Sequence, residues 1–589
     1  MSTLVHLPTS RIARQWLRLC ALALLFALAF ARGAHAQTHD HHPPADAAHA
    51  APTTSEAQSL YMTPATAAGG EASVVFHAAL SGANETTPVV SRASGYAVLA
   101  LSDDTTALSY RVLLNDITDV QAAHIHRASD GGVQRPLAVQ SDALISGVIT
   151  DVTPAEVTAL QNGEYYINVH TAAYPGGEMA GAIATFEPPT GYTALLNGAN
   201  ERPNPVETDA IGVARFTRVN TATLDYQIAV SNVVSITAAH IHLGPADGFG
   251  GVAHNLYTGG PFDPDNPITG TVELDHQGMV DLLTGYYYVN VHTDAYPGGE
   301  LRGQMGGAHL FHANLDGNQE TPPVDTLAHG RAVLALSADA STLAYRVIVY
   351  DLADITNQHI HRAPRGVPGG VEFPLPTFGD GNVISGTLPM TDLNVLRLIA
   401  GDYYVNVHTA THGPGEIRGQ IEPLATPMRL SALLTGDAET PSVATDAAGF
   451  ARFKLRPVIN VIDYYMAVAD IEEIQAAHIH TAPAGAPGPV AHFLYTTADG
   501  AFGPAHPASG ALLFDAQDFV DLLTGYHYVN VHTADHPGGE LRGQIGRAHT
   551  FVASIDGAQE TPPVVTDAFG LGVFALNADA SQLVYRIVA

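Results

Sequence analysis

The chain nearly lacks cysteine and tryptophan, with one of each at Cys20 and Trp16. Both fall within the first 36 residues. There Arg11, Arg14 and Arg18 precede an apolar run from Leu19 to Phe30, and Ala34-His35-Ala36 offers small residues for cleavage, which is the pattern of a signal peptide over residues 1–36. Once that segment is removed near Ala36, no thiol and no disulfide remain, so each domain has to be held by its apolar core. Cys20 stands at the start of the apolar run rather than at the cleavage point, which argues against lipidation. Long hydrophobic runs are also missing. Leu19 to Phe30 falls short of the roughly 20 residues a helical span requires, and the mature chain is expected to have no transmembrane segment. Positive charge is scarce, with 25 Lys and Arg against 57 Asp and Glu for a formal charge of -32. Loss of Arg11, Arg14, Arg18 and Arg32 makes the chain four units more negative, which excludes nucleic acid and anionic lipid as partners. A cation or an unidentified extracellular protein remains.

What the sequence has in abundance is repetition, at a period of about 120 residues. The motif Leu80-Ser-Gly82-Ala-Asn-Glu85 returns around Glu201, Glu320, Glu439 and Glu560. A central His-Ile-His follows in four copies, and a closing motif Gly163-Glu-Tyr-Tyr-Ile-Asn-Val-His170-Thr leads through a Pro-Gly loop to Gly177-Glu178. The expected units are a tail rich in His, Ala and Pro at 37–72 without apolar periodicity, repeats at 73–187, 190–307, 308–423 and 428–547, and a truncated fifth repeat at 548–589. The fifth copy stops inside the strand that matches Leu108 to Leu114, so the expectation is either a fragment or frameshifted product, or a half-domain completed by another chain. Short linkers around Pro188-Pro189-Thr190 and Pro423 to Pro427 suggest closely spaced beads.

Within the first copy, period-two alternation marks strands near Val74–Leu80, Gly95–Leu101, Leu108–Leu114, Ala122–His126, Leu144–Thr150, Tyr165–Thr171 and Met179–Ala184, the pattern of an all-β sandwich or barrel. Thr153-Pro154-Ala155-Glu156 is a capping box with proline at the first helical position, and Gly163 is a stop. One short helix per copy is expected, with Met279 to Thr284 and Phe519 to Thr524 as counterparts. Because side chains alternate along a strand, His124 and His126 share one face, as do Tyr166, Asn168 and His170. With Ile125 and Val169 in the core, the imidazoles fall on the outer face or at a sheet end.

Taken together, His-Ile-His, Tyr-Val-Asn-Val-His-Thr and Pro-Gly-Gly-Glu-Leu-Arg-Gly-Gln resemble the CHRD domain, the repeated module of chordin that also occurs in bacterial secreted proteins. The resemblance runs from about residue 74 to the end and implies a tandem array of extracellular Ig-like or superoxide-dismutase-like antiparallel β-sandwiches, each with one short helix. Chordin's growth-factor binding is associated with cysteine-rich modules, which this mature chain lacks, so that activity is not carried over. The first copy departs from the closing pattern, with Met179-Ala180-Gly181-Ala182 where the second has Leu301-Arg302-Gly303-Gln304.

Two imidazoles on alternate strand positions, a third from the closing strand and a glutamate after the loop make a three-nitrogen, one-oxygen set suited to Zn(II) or Cu(II). The candidate ligands are His124, His126, His170 and Glu178; His240, His242, His292 and Glu300; His359, His361, His408 and Glu416; and His478, His480, His532 and Glu540. The competing reading is a hydrogen-bonded polar network that pins the closing loop. In the tail, His39 would be third from a new amino terminus at Gln37, an arrangement that chelates Cu(II) or Ni(II) unless Gln37 cyclises. No nucleophilic cysteine, Gly-X-Ser-X-Gly elbow or phosphate loop is present, so no enzyme activity is expected. The sequence points to a secreted, periplasmic or cell-surface binding or structural protein with one metal ion per domain. The alternative is a periplasmic metal-handling or superoxide-dismutase-like redox protein, since a strand-borne His-X-His also resembles the copper site of that enzyme.

Overall fold

The computed structural model describes residues 72–589, apart from 90, 92, 260–266, 379–380, 425–428, 457–459, 498–500, 504–505, 547–548, 557–563, 565–568, 577–582 and 589. The expected signal peptide and tail, and the linker at 425–427, lie outside the described residues.

The second domain shows the architecture. Its strands are β1 (Gly191–Asn197), β2 (Ile211–Arg218), β3 (Thr223–Ser231), β4 (Ile236–Leu243), β5 (Val252–Tyr257), β6 (Ile268–Glu273), β7 (Tyr287–Thr293) and β8 (Leu301–Gln304), with one helix, α1 (His276–Leu283), between β6 and β7. They form a single antiparallel sheet in the order β5-β4-β7-β8-β1-β2-β3-β6, folded over so that its two halves face each other and enclose Phe216, Ile228, Ile241, Val289, Val291 and Leu301. Each fully buried side chain of this kind contributes roughly 1.5–3 kcal/mol, and in the absence of disulfides these residues carry the domain. Tyr226 on β3 crosses to β5, where its hydroxyl donates to the Leu256 carbonyl at 2.5 Å. Gly270 on β6 gives the ring room, since a Cβ there would collide with the Tyr226 hydroxyl. The same order recurs in the other three complete domains, and the fifth copy is a three-stranded antiparallel sheet.

The all-β, one-helix expectation therefore holds. In domain 1 the helix is Pro154–Gln161. Thr153 Oγ1 accepts from Glu156 N at 3.3 Å, and the Glu156 carboxylate accepts from Thr153 N at 2.8 Å. The edge strand Val133–Leu137, which pairs with the His-Ile-His strand, escaped the sequence reading because Pro136 and Arg135 interrupt its apolar alternation.

The structure departs from beads. The helix of domain 2 lies on the sheet of domain 1, where Arg111 pairs with Asp281 and donates to Thr284 Oγ1 at 3.0 Å. Domains 3 and 4 repeat this contact, with Arg346 2.6 Å from Asp521 and 2.9 Å from Thr524 Oγ1, and with its guanidinium 3.7 Å from the Tyr526 ring centre. Arg215 of domain 2 meets Asp392 of domain 3 at 2.5 Å. Arg429 of domain 4 returns to Asp116 of domain 1 at 2.9 Å. Short linkers and small apolar patches between neighbours, such as Val98 and Ala100 against the domain 2 core, draw the units together.

Inside each domain the opening glutamate is a buried strut. Asn290 Nδ2 donates to Glu201 Oε2 at 3.2 Å, and Asn168 does the same to Glu85. Glu201 Oε1 and Asn290 Oδ1 are both buried acceptors without a partner. Both face Gly299, whose φ of +127° and lack of a Cβ let the closing loop pass over them. Burial pushes the Glu201 carboxyl up from 4.5 to about 7, and those of Glu85 and Glu320 likewise to about 7.

Two outcomes are expected. Replacing Arg346 by Met leaves Asp521 buried without its cation and lowers stability by on the order of 3 kcal/mol in urea unfolding. For the glutamates the folded pKa is raised, so their contribution is complete below pH 4.5 and disappears as pH climbs through about 7. This loss amounts to on the order of 3 kcal/mol per group. Glu201→Gln, neutral at every pH, should flatten that part of the melting temperature against pH curve, and an unchanged slope would contradict the assignment.

Candidate metal centre

β4 and β7 lie side by side in a register that places His240 opposite Asn290, His242 opposite Tyr288 and Ala238 opposite His292. Ile241, Val289 and Val291 are fully buried, so strand alternation puts His240, His242, Tyr288, Asn290 and His292 on the other face, as the sequence pattern requires. The same register recurs as His124 opposite Asn168, His359 opposite Asn406 and His478 opposite Asn530. This face is roofed by the closing loop, so the imidazoles are half-buried or buried.

In all four complete domains the three histidines converge, with one nitrogen from each within 4.8 Å of the others. Their protonation is set by backbone carbonyls. His242 Nδ1 lies 3.0 Å from Gly250 O, and His292 Nδ1 lies 3.0 Å from Pro297 O. A carbonyl only accepts, so each Nδ1 carries the proton and each Nε2 presents its lone pair to the cluster. His240 Nδ1 approaches His292 Nε2 at 3.1 Å. In domain 1 this last contact is not made, and His124 Nδ1, His126 Nε2 and His170 Nε2 are all buried without a hydrogen-bond partner. The Nε2 atoms of His242, His361 and His480 are orphaned in the same way.

Burial pushes His242 and His478 down to about 4, with the neighbouring imidazoles adding to the effect. Burial also lowers His240 and His292. These four rings are therefore neutral near pH 7, the form that coordinates a cation.

A stack of side chains holds His242 in place. Tyr288 lies parallel to it at 5.1 Å between ring centres, and the buried Arg302 guanidinium covers Tyr288 at 3.6 Å. Arg302 is anchored by donating to Pro245 O at 2.8 Å. Arg418 over Tyr404 and Arg542 over Tyr528 repeat the arrangement, both at 3.5 Å. Domain 1 has Ala180 in place of the arginine, yet Tyr166 still stacks on His126 at 5.2 Å. In the sequence this arginine stands only as one member of the closing motif, and its supporting role follows from the β7–β8 pairing that sets Asn290 opposite Arg302.

The predicted fourth ligands are not brought into these clusters. Glu300 accepts from Thr208 Oγ1 and Thr293 Oγ1, both at 2.7 Å. Glu178 takes Ser91 and Thr171, Glu416 takes Thr326 and Thr409, and Glu540 takes Thr445 and Thr533. Each is a carboxylate clamp that ties the closing loop to the loop after β1. A glutamate preceded by a flexible Pro-Gly turn is within reach of several partners, and sequence spacing does not distinguish two hydroxyls from an ion. What remains is a three-nitrogen face beside an open depression, lined in domain 4 by His478, His480, His532, Val490 and Pro537.

The CHRD domain matches residues 76–183, 192–305, 311–421 and 430–545. Chordin of Xenopus laevis is 26% identical over 359 residues, covering 56% of this chain and 37% of that protein. Chordin of Danio rerio is 27% identical over 305 residues, covering 48% and 32%. The chain thus spans about a third of the length of these curated relatives. Among the described residues no helix is long and apolar enough to cross a membrane. With four matches covering most of its length, the chain belongs to the CHRD domain family.

Proposed function

We propose that this is an extracellular binding or structural protein in which each complete CHRD domain holds one Zn(II) or Cu(II) ion through three histidines. The observation that carries this reading is the set of converging imidazole lone pairs, two of them aimed inward by Nδ1 donation to a carbonyl. Outer-shell hydrogen bonds of that kind fix tautomer and ring orientation at metal sites. A pure polar network would pair these nitrogens with donors, whereas domain 1 leaves three of them buried and unpaired. In domain 1, bringing the lone pairs of the rings together costs electrostatic energy that a divalent cation reverses, and in domains 2 to 4 the cation would displace the proton shared between two of the rings.

Three protein ligands leave the fourth position of a tetrahedral ion open. A water molecule, or a carboxylate or imidazole from another protein, completes the shell. Four such sites in series raise avidity for a partner that carries repeated ligands. The acidic surface favours basic partners and cation capture over contact with nucleic acid.

Tag-free, dialysed protein analysed for bound elements should contain at least one Zn or Cu per complete domain. His292→Phe should remove one equivalent from the chain, and a chelator should lower the melting temperature of the native protein more than that of a variant changed at His170, His292, His408 and His532 together. Fully folded protein that takes up no metal at these positions would leave the polar network as the reading.

A further inference from the structure

Domain 4 gathers another set of potential ligand atoms, on the opposite face of its sheet from the histidine triad. His527 begins the strand His527–Thr533, five positions before His532. This odd separation turns its side chain toward the interior, while His532 faces out. His492 comes from the edge strand Val490–Thr496 and Asp518 from the first turn of the helix Ala516–Leu523. One ligand atom from each lies within 4.8 Å of the other two. His492 Nε2 is 3.1 Å and His527 Nε2 is 3.8 Å from Asp518 Oδ1. Ligand atoms around a tetrahedral Zn(II), at bonds of about 2.0–2.1 Å, stand about 3.4 Å apart, so small adjustments of these side chains would accommodate an ion.

The support around the three groups is that of a built site. Asp518 Oδ2 is engaged as the capping-box acceptor from Asp515 N at 3.0 Å, which leaves Oδ1 pointing at the imidazoles. His527 has no exposed surface, its Nδ1 meets Thr481 Oγ1 at 3.2 Å, and its Nε2 has no hydrogen-bond partner. Phe514 stacks on His492 at 4.6 Å and meets the edge of His527 at 5.7 Å, fixing both rings. The side chains of His492 and Asp518 keep 18% and 20% of their exposure, so a fourth position is open to water.

The other domains fill the same place with different, satisfied chemistry. Domain 1 has the ion pair of Arg135 with Glu156 at 2.7 Å, domain 3 pairs Arg397 with Glu372 at 2.9 Å, and domain 2 sets His254 against the Tyr287 hydroxyl at 3.3 Å. At the helix position of Asp518 domain 2 has Gly278, and at the position of His527 it has Tyr287. Among the described residues only domain 4 gathers two imidazoles and a carboxylate there.

We propose that His492, Asp518 and His527 form a second type of metal site, specific to domain 4, for a divalent transition cation of the Zn(II) class with water as the remaining ligand. The test is titration of chelator-stripped, full-length protein with Co(II) and Zn(II), read by the visible absorption of bound Co(II) and by stoichiometry. His527→Tyr, which installs the residue that domain 2 already folds with, and Asp518→Asn, which keeps the capping acceptor, should each lose one equivalent or weaken it by at least about tenfold. His532→Phe should remove a different equivalent, and combining it with His527→Tyr should remove both. If the triads bind nothing, His532→Phe will change nothing while His527→Tyr still abolishes one site, so failure of either reading is recognisable. Unchanged stoichiometry and affinity in both His527→Tyr and Asp518→Asn overturns the proposal.

Discussion

The register between the His-Ile-His strand and the closing strand is the constraint on which the rest of each domain depends. Antiparallel pairing of His240 with Asn290 assigns Ile241, Val289 and Val291 to the core and the imidazoles to the opposite face. A slip of one residue would invert both sets at once, driving polar rings into the interior and apolar residues under the loop. Core burial and the placement of the histidines are therefore enforced by the same hydrogen-bond ladder. Because the core penalises any shift strongly, the polar face is held to a tolerance that a surface loop would not provide.

Above that face, order is passed from one residue to the next. The glutamate clamp fixes the closing loop, the loop carbonyls fix the tautomer of the third histidine, and the arginine–tyrosine stack fixes the plane of the second. Domain 1 lacks the arginine but keeps the stack of Tyr166 on His126, which shows that strand pairing places the ring and the guanidinium adds packing above it. The buried glutamate and asparagine beneath are a second polar layer, separate from the histidines but sharing their strand.

Much of this was legible in the sequence because it is written at period two. Alternation gave the strands, the capping box at Thr153 gave the helix, and the spacing within His-Ile-His and Asn-Val-His gave the face on which the histidines sit. Three features were not legible, each for a physical reason. The edge strand Val133–Leu137 has little apolar alternation because one of its sides has no neighbour to bury against. The role of Glu300 depends on two hydroxyls, one of them 92 residues away, and that pairing is a product of folding. The polar contacts between domains are made by residues, such as Arg111 and Asp281, that stand outside every recurring motif. Beads on short linkers are the natural expectation from linker composition, and the apolar residues at the seams, such as Val98 and Ala100, share the period-two alternation of their own strands and carry no separate signal.

Those interfaces do not treat the four domains alike. The arginine of the third strand is present in domains 1 and 3 as Arg111 and Arg346, but is Gln227 and Tyr465 in domains 2 and 4. Its partner aspartate occurs on the helices of domains 2 and 4, where domains 1 and 3 have Ala159 and Arg397. The repeating structural unit is therefore a doublet whose halves are complementary at this seam. Exchanging neighbouring domains within this array would set Gln227 or Tyr465 against an aspartate-bearing helix and leave its carboxylate at the seam without a guanidinium.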